Sequence, residues 1–264
     1  MARRAAGDVG PAGPHARIMS GIGTLKAGAP ARARTGGRRW LKWIVLGPLL
    51  LVVLVQLYFF AMVCWWTQFN PSSTSMMRQQ LSALREQNPN AKLEQAWVPY
   101  ARISNNLKRA VIASEDANFS EHDGVDWDAL EKAYERNNKK HRVVGGGSTI
   151  TQQLAKNLFL SGSRNYLRKG QELVIAYMLE AVMDKQRILE IYLNVVEFGR
   201  GVFGAEAAAR HYFRTSAANL NAAQAARLAV MLPNPRYYDR HRDTSYLARR
   251  TAVIQRRMNA AELP

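Results

Sequence analysis

Between Ser114 and Gly124 the chain reads Ser-Glu-Asp-Ala-Asn-Phe-Ser-Glu-His-Asp-Gly. Two adjacent carboxylates, Glu115 and Asp116, close an apolar helical run and are followed at once by turn residues, so the pair sits at the end of a rigid element. A carboxylate fixed in that way suits a general base. Asp116 leaves the helix end from a different side, which suits it to bonding backbone or an arginine rather than sharing the chemistry. Phe119 reads as the wedge that holds the turn down, and Gly124 ends it. His122 has the chemistry of a ligand or a base, but no Cys, His or second carboxylate stands at metal spacing from it. A structural histidine pinning the turn is the better reading.

A second set lies on one helical face: Thr149, Gln153, Lys156 and Asn157, at i, i+4, i+7 and i+8. The apolar seam of the same helix is Ile150, Leu154 and Leu158, so the polar seam faces something wet or charged. Gly145, Gly146, Gly147 and Ser148 open that helix, and its free N–H groups favour an anion. The alternative is a solvated face behind a flexible loop. The run is not a phosphate-binding Walker loop, because no Lys follows the glycines at the required distance.

Arg168, Lys169 and Glu172 form a third set. An i, i+4 pair such as Arg168 and Glu172 usually lies on the surface and contributes a few tenths of a kcal/mol. Here Lys169 is adjacent and Arg164 lies one turn back, giving a basic stripe with one acid in it, which suits a diphosphate. Glu190 and Glu197 are further candidate acids, with Glu190 and Asn194 read as structural hydrogen-bonders and Tyr192 beside an apolar run.

The elements that must position these residues are helical almost throughout. Ser104 or Asn105 can cap a helix carrying Leu107, Ala110, Val111 and Ser114 on one face and delivering Glu115 at its end. Helices follow over 127–137, from Ile150, over 164–183 with Leu173, Tyr177 and Ala181 facing inward, and over 185–195. A glycine-punctuated turn then spans 198–204, and helices over 206–213, 221–232 and 244–258 complete an all-α domain. The Ala-rich runs 205–209 and 222–229 suit close helix packing.

Upstream the chain changes character. Residues 43–66 carry no charge and exceed the roughly 20 residues needed to cross a hydrocarbon core, with tryptophans at both ends. A cleaved signal peptide is the alternative, but the apolar stretch is long for one and no small-x-small site follows. Arg38, Arg39 and Lys42 flank its N-terminal side and no basic residue follows before Arg78, which places the N-terminus in the cytoplasm and the remainder outside. Residues 1–39, rich in Ala, Gly, Arg and Pro, read as a disordered basic tail; a nucleic-acid-binding arm is the rival, and the topology keeps the outer domain away from nucleic acid. The expected divisions are this tail, a transmembrane helix over 40–66, a linker and membrane-proximal segment over 67–99, and a catalytic domain over 100–264. The net charge of +17 remains clearly positive after the tail is set aside, which points to anionic partners. The single cysteine, Cys64, says nothing of redox compartment.

Taken together, Glu115-Asp116-x-x-Phe119-x-x-His122-x-Gly124, Gly146 through Asn157, Arg168-Lys169-x-x-Glu172, Ile188 through Gly204, and Ala226 through Pro235 resemble, in order, the five motifs of the peptidoglycan glycosyltransferases. The chain stops soon after the last and shows no Ser-x-x-Lys segment with a following domain, so it resembles the monofunctional biosynthetic transglycosylases. The resemblance implies a lysozyme-like, mainly α-helical fold with a membrane-proximal jaw, residues 125–145 being mobile over the cleft. It implies polymerisation of lipid II into β-1,4-linked glycan with inversion, releasing undecaprenyl diphosphate, at the periplasmic face of a bacterial inner membrane. It places the base at Glu115, whose near-normal pKa would serve, and a second carboxylate at Glu172. Diphosphate contacts fall to Lys156, Arg168 and Lys169, and cleft contacts to Ser148, Thr149, Gln153 and Asn157. No cofactor is required, although Glu172 leaves room for a divalent metal such as magnesium. Partners would be lipid II, nascent glycan, membrane lipid and proteins of wall synthesis or division. Gln224 departs from the acid that many members carry. The rivals are a membrane-anchored lytic transglycosylase or muramidase and a non-catalytic lipid II-binding scaffold.

Overall fold

The computed structural model describes residues 37–139, 147–160, 162 and 165–264, apart from the side chains of 37–41 and 137. The basic tail up to residue 36, Gly145, Gly146, Arg164 and the stretch 140–145 lie outside the described residues. The chain divides at Pro48 into two units. Of the first, Gly37–Pro48 is helical, and the second, Leu49–Pro264, holds the core.

Helix α1 (Gly37–Gln68) runs through the uncharged stretch. Its segment Lys42–Gln68 is long and apolar enough to cross a membrane, and nearly every side chain from Trp43 to Leu57 is exposed. Thr74 then caps α2 (Ser75–Arg85) through the N–H of Met77. After a short strand, β1 (Glu94–Gln95), Ser104 caps α3 (Asn105–Glu115) through the N–H of Asn106. Next come α4 (Trp127–Lys139) and α5 (Ile150–Phe159). Asn165 caps α6 (Tyr166–Val182), and Asp184 caps α7 (Lys185–Val195). These oxygens satisfy N–H groups that a helix start leaves without partners, which is why such residues mark the starts in the sequence.

The glycine-rich turn folds as a hairpin of β2 (Glu197–Gly199) and β3 (Val202–Phe203), with β1 added in parallel to β3. This small sheet was not anticipated, because strands of two or three residues are too short to show alternation. Gly204 ends it with φ +82°, and a Cβ there would lie 2.6 Å from the Asn194 carbonyl oxygen, so only glycine fits. Helices α8 (Ala205–Phe213), α9 (Ala222–Met231), the unanticipated α10 (Pro235–Arg240) and α11 (Ser245–Arg257) complete the chain.

The core centres on α7, where Ile188, Leu189 and every residue from Ile191 to Val195 are buried. A helix covered on all sides can hold other helices in fixed relation. Helix α5 packs against α2, α6 and α7, while α3 packs against α9 and α11. Small residues Ala225, Ala226 and Ala229 permit the close approach of α9 to α3. The inward face of α6 differs from expectation: Tyr177 and Ala181 are exposed, and the buried stripe is Glu172, Ile175, Ala176 and Leu179. The apolar pattern misplaced the face because the true stripe passes through a carboxylate whose charge is compensated internally. On α4, Ala133 is buried, while Trp127, Leu130 and Tyr134 are exposed.

Candidate active site

Glu115 is the last residue of α3, since Asp116 leaves helical geometry at φ −161° and ψ 77°. Its carboxylate accepts from Gln153 Nε2 on α5 at 2.9 Å and, more weakly, from Ser114 Oγ at 3.4 Å. The amide of Gln153 is oriented in turn by Tyr192 on α7, whose hydroxyl donates to Gln153 Oε1 at 2.8 Å. The assignment is self-consistent, because a carboxylate only accepts and so demands the NH2 side of the amide. Burial pushes the Tyr192 phenol well up, with the Glu115 and Asp116 charges adding to the effect, so it stays a donor.

The near-normal pKa expected for Glu115 is not what its surroundings give. Desolvation raises it first and the neighbouring Asp116 charge adds to that, against lowering by the Gln153 and Ser114 bonds and by Arg250. A helix C-terminus, where carbonyl dipoles point outward, acts in the same raising sense.

Asp116 serves the backbone, as expected, but its side-chain partner is a histidine and not an arginine. It accepts from the Ile150 N–H at 2.9 Å and lies 3.0 Å from His122 Nε2, tying the turn to the start of α5. Phe119 is fully buried beneath that turn, with Lys185 Nζ 4.8 Å from its ring centre. Gly124, at φ +85°, offers its carbonyl to the Thr149 hydroxyl at 2.6 Å. Thr149 also caps α5 through Gln152 N–H, so this buried hydroxyl is already engaged in holding the turn. Sequence reasoning missed a strap around it: Lys185 bonds the His122 carbonyl and Glu180, and Glu180 accepts from Thr151 at 2.6 Å. These residues lie on three helices, α5, α6 and α7, and on the turn that carries His122, and no single motif in the sequence links them.

The basic set also comes together. Arg168 Nη1 and Lys169 Nζ each lie 2.5 Å from a different oxygen of Glu172, which is buried. Lys169 also donates to Ser148 Oγ at 3.0 Å and Gln152 Oε1 at 3.1 Å. The Arg168–Glu172 pair is therefore no surface pair. Desolvation pulls the Lys156 pKa down, Glu172 and Glu115 raise it, and Arg168 and Lys169 lower it, so Lys156 stands within the field of all four. Glu172 has both oxygens engaged by cations, and among the described residues no group of three His, Cys, Asp or Glu could hold a metal.

Two recesses lie to either side of the Glu115–Gln153 bond. Glu115, Asp116, Ser148 and Thr149 line a recess of about 120 Å³ under α4. Gln153, Lys156 and Asn157 line a larger cleft of about 350 Å³, closed opposite by Val196 and Leu232–Arg236. The Glu115–Gln153 bond joins the two linings. At the rim Arg236 grips Glu197 through three contacts of 2.9–3.1 Å; Glu197 had been marked as a candidate acid, while Arg236 carried no signal. Asn194 and Glu190 bond backbone as expected, Asn194 to Val98 at 2.9 Å on both its N–H and carbonyl, Glu190 to the Tyr100 N–H. The arrangement offers a half-buried base on one side and a cationic wall on the other, with a shared side chain between them. That suits transfer from a donor with an anionic leaving group to a hydroxyl acceptor.

Residues 80–259 match the family described as transglycosylase. The chain is 71% identical over 227 residues to a biosynthetic peptidoglycan transglycosylase of Herminiimonas arsenicoxydans, covering 86% of this chain and 98% of that one. A protein of the same description from Janthinobacterium sp. is 70% identical with the same coverage. One from Bordetella pertussis is 61% identical over 239 residues, 89% of this chain and 99% of its own.

Proposed function

The chain belongs to the transglycosylase family, and on that premise we propose that the Glu115 recess and the Lys156 cleft are the acceptor and donor sides of one lipid II polymerase site. The protein is a peptidoglycan glycosyltransferase of cell-wall synthesis, with lipid II and nascent glycan as its substrates. The observation that carries the site assignment is the hydrogen bond from Gln153 to Glu115, on the same helix that presents Lys156 to the cleft.

Glu115 takes the proton from the 4-hydroxyl of the acceptor sugar as that oxygen attacks C1 of the donor. The new C1–O4 bond forms while the bond from C1 to the diphosphate oxygen breaks on the opposite face, which inverts the anomeric centre. The proton stays on the Glu115 carboxyl until it passes to solvent. Its raised pKa strengthens it as a base, provided the pH keeps it ionised. Charge grows on the leaving diphosphate, and Lys156 and Arg168 stabilise it, with Lys169 holding Ser148 in place. Glu172 is a positioning residue: it fixes the two cations instead of touching the sugar. Asp116, Phe119, His122 and Gly124 set the turn that aims the base, Thr149 locks it to α5, and Asn157 contacts substrate from the cleft wall. The helix Lys42–Gln68 anchors the protein in the inner membrane with Thr67–Pro264 on the periplasmic side.

Glu115→Gln keeps the shape and the Gln153 contact but removes the base. Labelled lipid II incubated with this variant should yield no glycan polymer while still binding; polymer at a near wild-type rate would remove Glu115 from its role. A glycan-cutting enzyme would instead release fragments from purified cell wall, and it would have no use for a cationic wall, since a glycan chain carries no diphosphate.

A further inference from the structure

The C-terminal end of α1, the start of α2 and the C-terminal end of α5 enclose a groove of about 320 Å³ that takes no part in the reaction described above. We propose that it binds one anionic glycerophospholipid, with the phosphodiester at Arg78 and an acyl chain along an aromatic floor.

The floor is built from Phe59, Trp66 and Phe159, whose rings interlock. The centres of Phe59 and Phe159 are 4.9 Å apart at 62°, and those of Trp66 and Phe159 are 5.0 Å apart. Trp66 and Leu158 are buried in the core below, so this floor is fixed and not a loose surface cluster. The opposite end is polar. Asn70, Ser72, Ser73 and Arg78 line it, all four exposed, and among the described residues Arg78 forms no ion pair. The strand of chain between the two ends is held rigidly by Arg187, which donates to the carbonyls of Trp66 and Phe69 and to Asn70 Oδ1 at 2.8–3.1 Å.

Position argues for the same occupant. Residues 43–66 carry no charge, and at about 1.5 Å per residue they cover roughly the 30 Å hydrocarbon thickness, which brings Trp65 and Trp66 to the headgroup level. Arg78 is the first basic residue after Lys42, and its planar fork matches a monoanionic phosphodiester, with serine hydroxyls as added donors. A free phosphate would leave the aromatic floor unused, and an uncharged chain would leave Arg78 unused. Only a molecule with both parts uses both ends. The inference requires the span alone and stands whether or not the polymerase assignment of Glu115 holds.

The full chain in non-ionic detergent can be titrated with phosphatidylglycerol or with phosphatidylcholine of the same acyl chains, with adducts counted by native mass spectrometry. One phosphatidylglycerol should bind on the order of tenfold more tightly than phosphatidylcholine. Arg78→Ala should abolish that preference, whereas Arg85→Ala, an exposed basic residue of α2 outside the groove, should retain it. Both variants change exposed positions, and unchanged melting temperatures would show that both fold. Retained preference in Arg78→Ala, or equal loss in Arg85→Ala from diffuse surface charge, would overturn the site. Displacement of the lipid by an equal concentration of inorganic phosphate would also overturn it, because the apolar half would then contribute nothing.

Discussion

Glu115 carries its charge where burial opposes it, and two consequences follow at the level of single residues. The folded protein holds the Glu115 proton more tightly than the unfolded chain, since its pKa is raised on folding. Ionising it therefore costs stability. That cost is absent below the unfolded value, grows as pH rises through it, and is complete above the raised folded value. Glu115→Gln should melt at a higher temperature than wild type at neutral pH, and the gap should close in acid; thermal melts of both proteins across the pH range check this. The second consequence concerns Tyr192, which touches no substrate in the scheme above. Tyr192→Phe frees the Gln153 amide and weakens the bond that lowers the Glu115 pKa. The acid limb of kcat/KM should shift to higher pH and kcat at neutral pH should drop about tenfold, with KM little changed. An unmoved limb would mean that Gln153 holds its orientation without the phenol.

Elements place these residues, and two substitutions test how. Gly204 turns the chain from β3 into α8 at a positive φ against the Asn194 carbonyl. Gly204→Ala should cost about 2–4 kcal/mol in chemical denaturation, from backbone strain plus the clash. On α6, Glu172 is the shared counter-ion of Arg168 and Lys169. Glu172→Gln leaves two cations near a buried amide and should cost about 3 kcal/mol, with polymerisation losing rate as the cations lose their positions. An unchanged unfolding midpoint would return the pair to an ordinary surface role. The start of α3 was legible because Ser104 accepts a backbone N–H locally, and Thr149, Asn165 and Asp184 do the same at starts that the sequence located from periodicity alone. The inward face of α6 was not legible, because a buried charge lies on it, and hydrophobic periodicity counts a glutamate as surface.

For the whole molecule, the C-terminal end of α1, the helix long and apolar enough to cross a membrane, belongs to the core. Val63 and Trp66 are buried, and Phe59 packs on Phe159. A chain beginning at Asn70 should melt lower in detergent than one beginning at Leu49, because it loses those contacts and the carbonyls that Arg187 holds at Trp66 and Phe69. Equal melting temperatures would show that α1 is only a tether. The sequence by itself determined the helical class and the uncharged span, since each depends on residue type at short spacing, and the order of its motifs carried the family resemblance from which Glu115, Lys156, Arg168 and Glu172 are proposed as one set. Tertiary structure alone decided what those residues do to one another. Gln153 reaches Glu115 across 38 positions, Tyr192 reaches Gln153 across 39, and Lys185 reaches the His122 carbonyl across 63. The physical reason is that pKa and orientation depend on desolvation and on partners a few ångströms away in space, and folding, not spacing along the chain, brings those partners together.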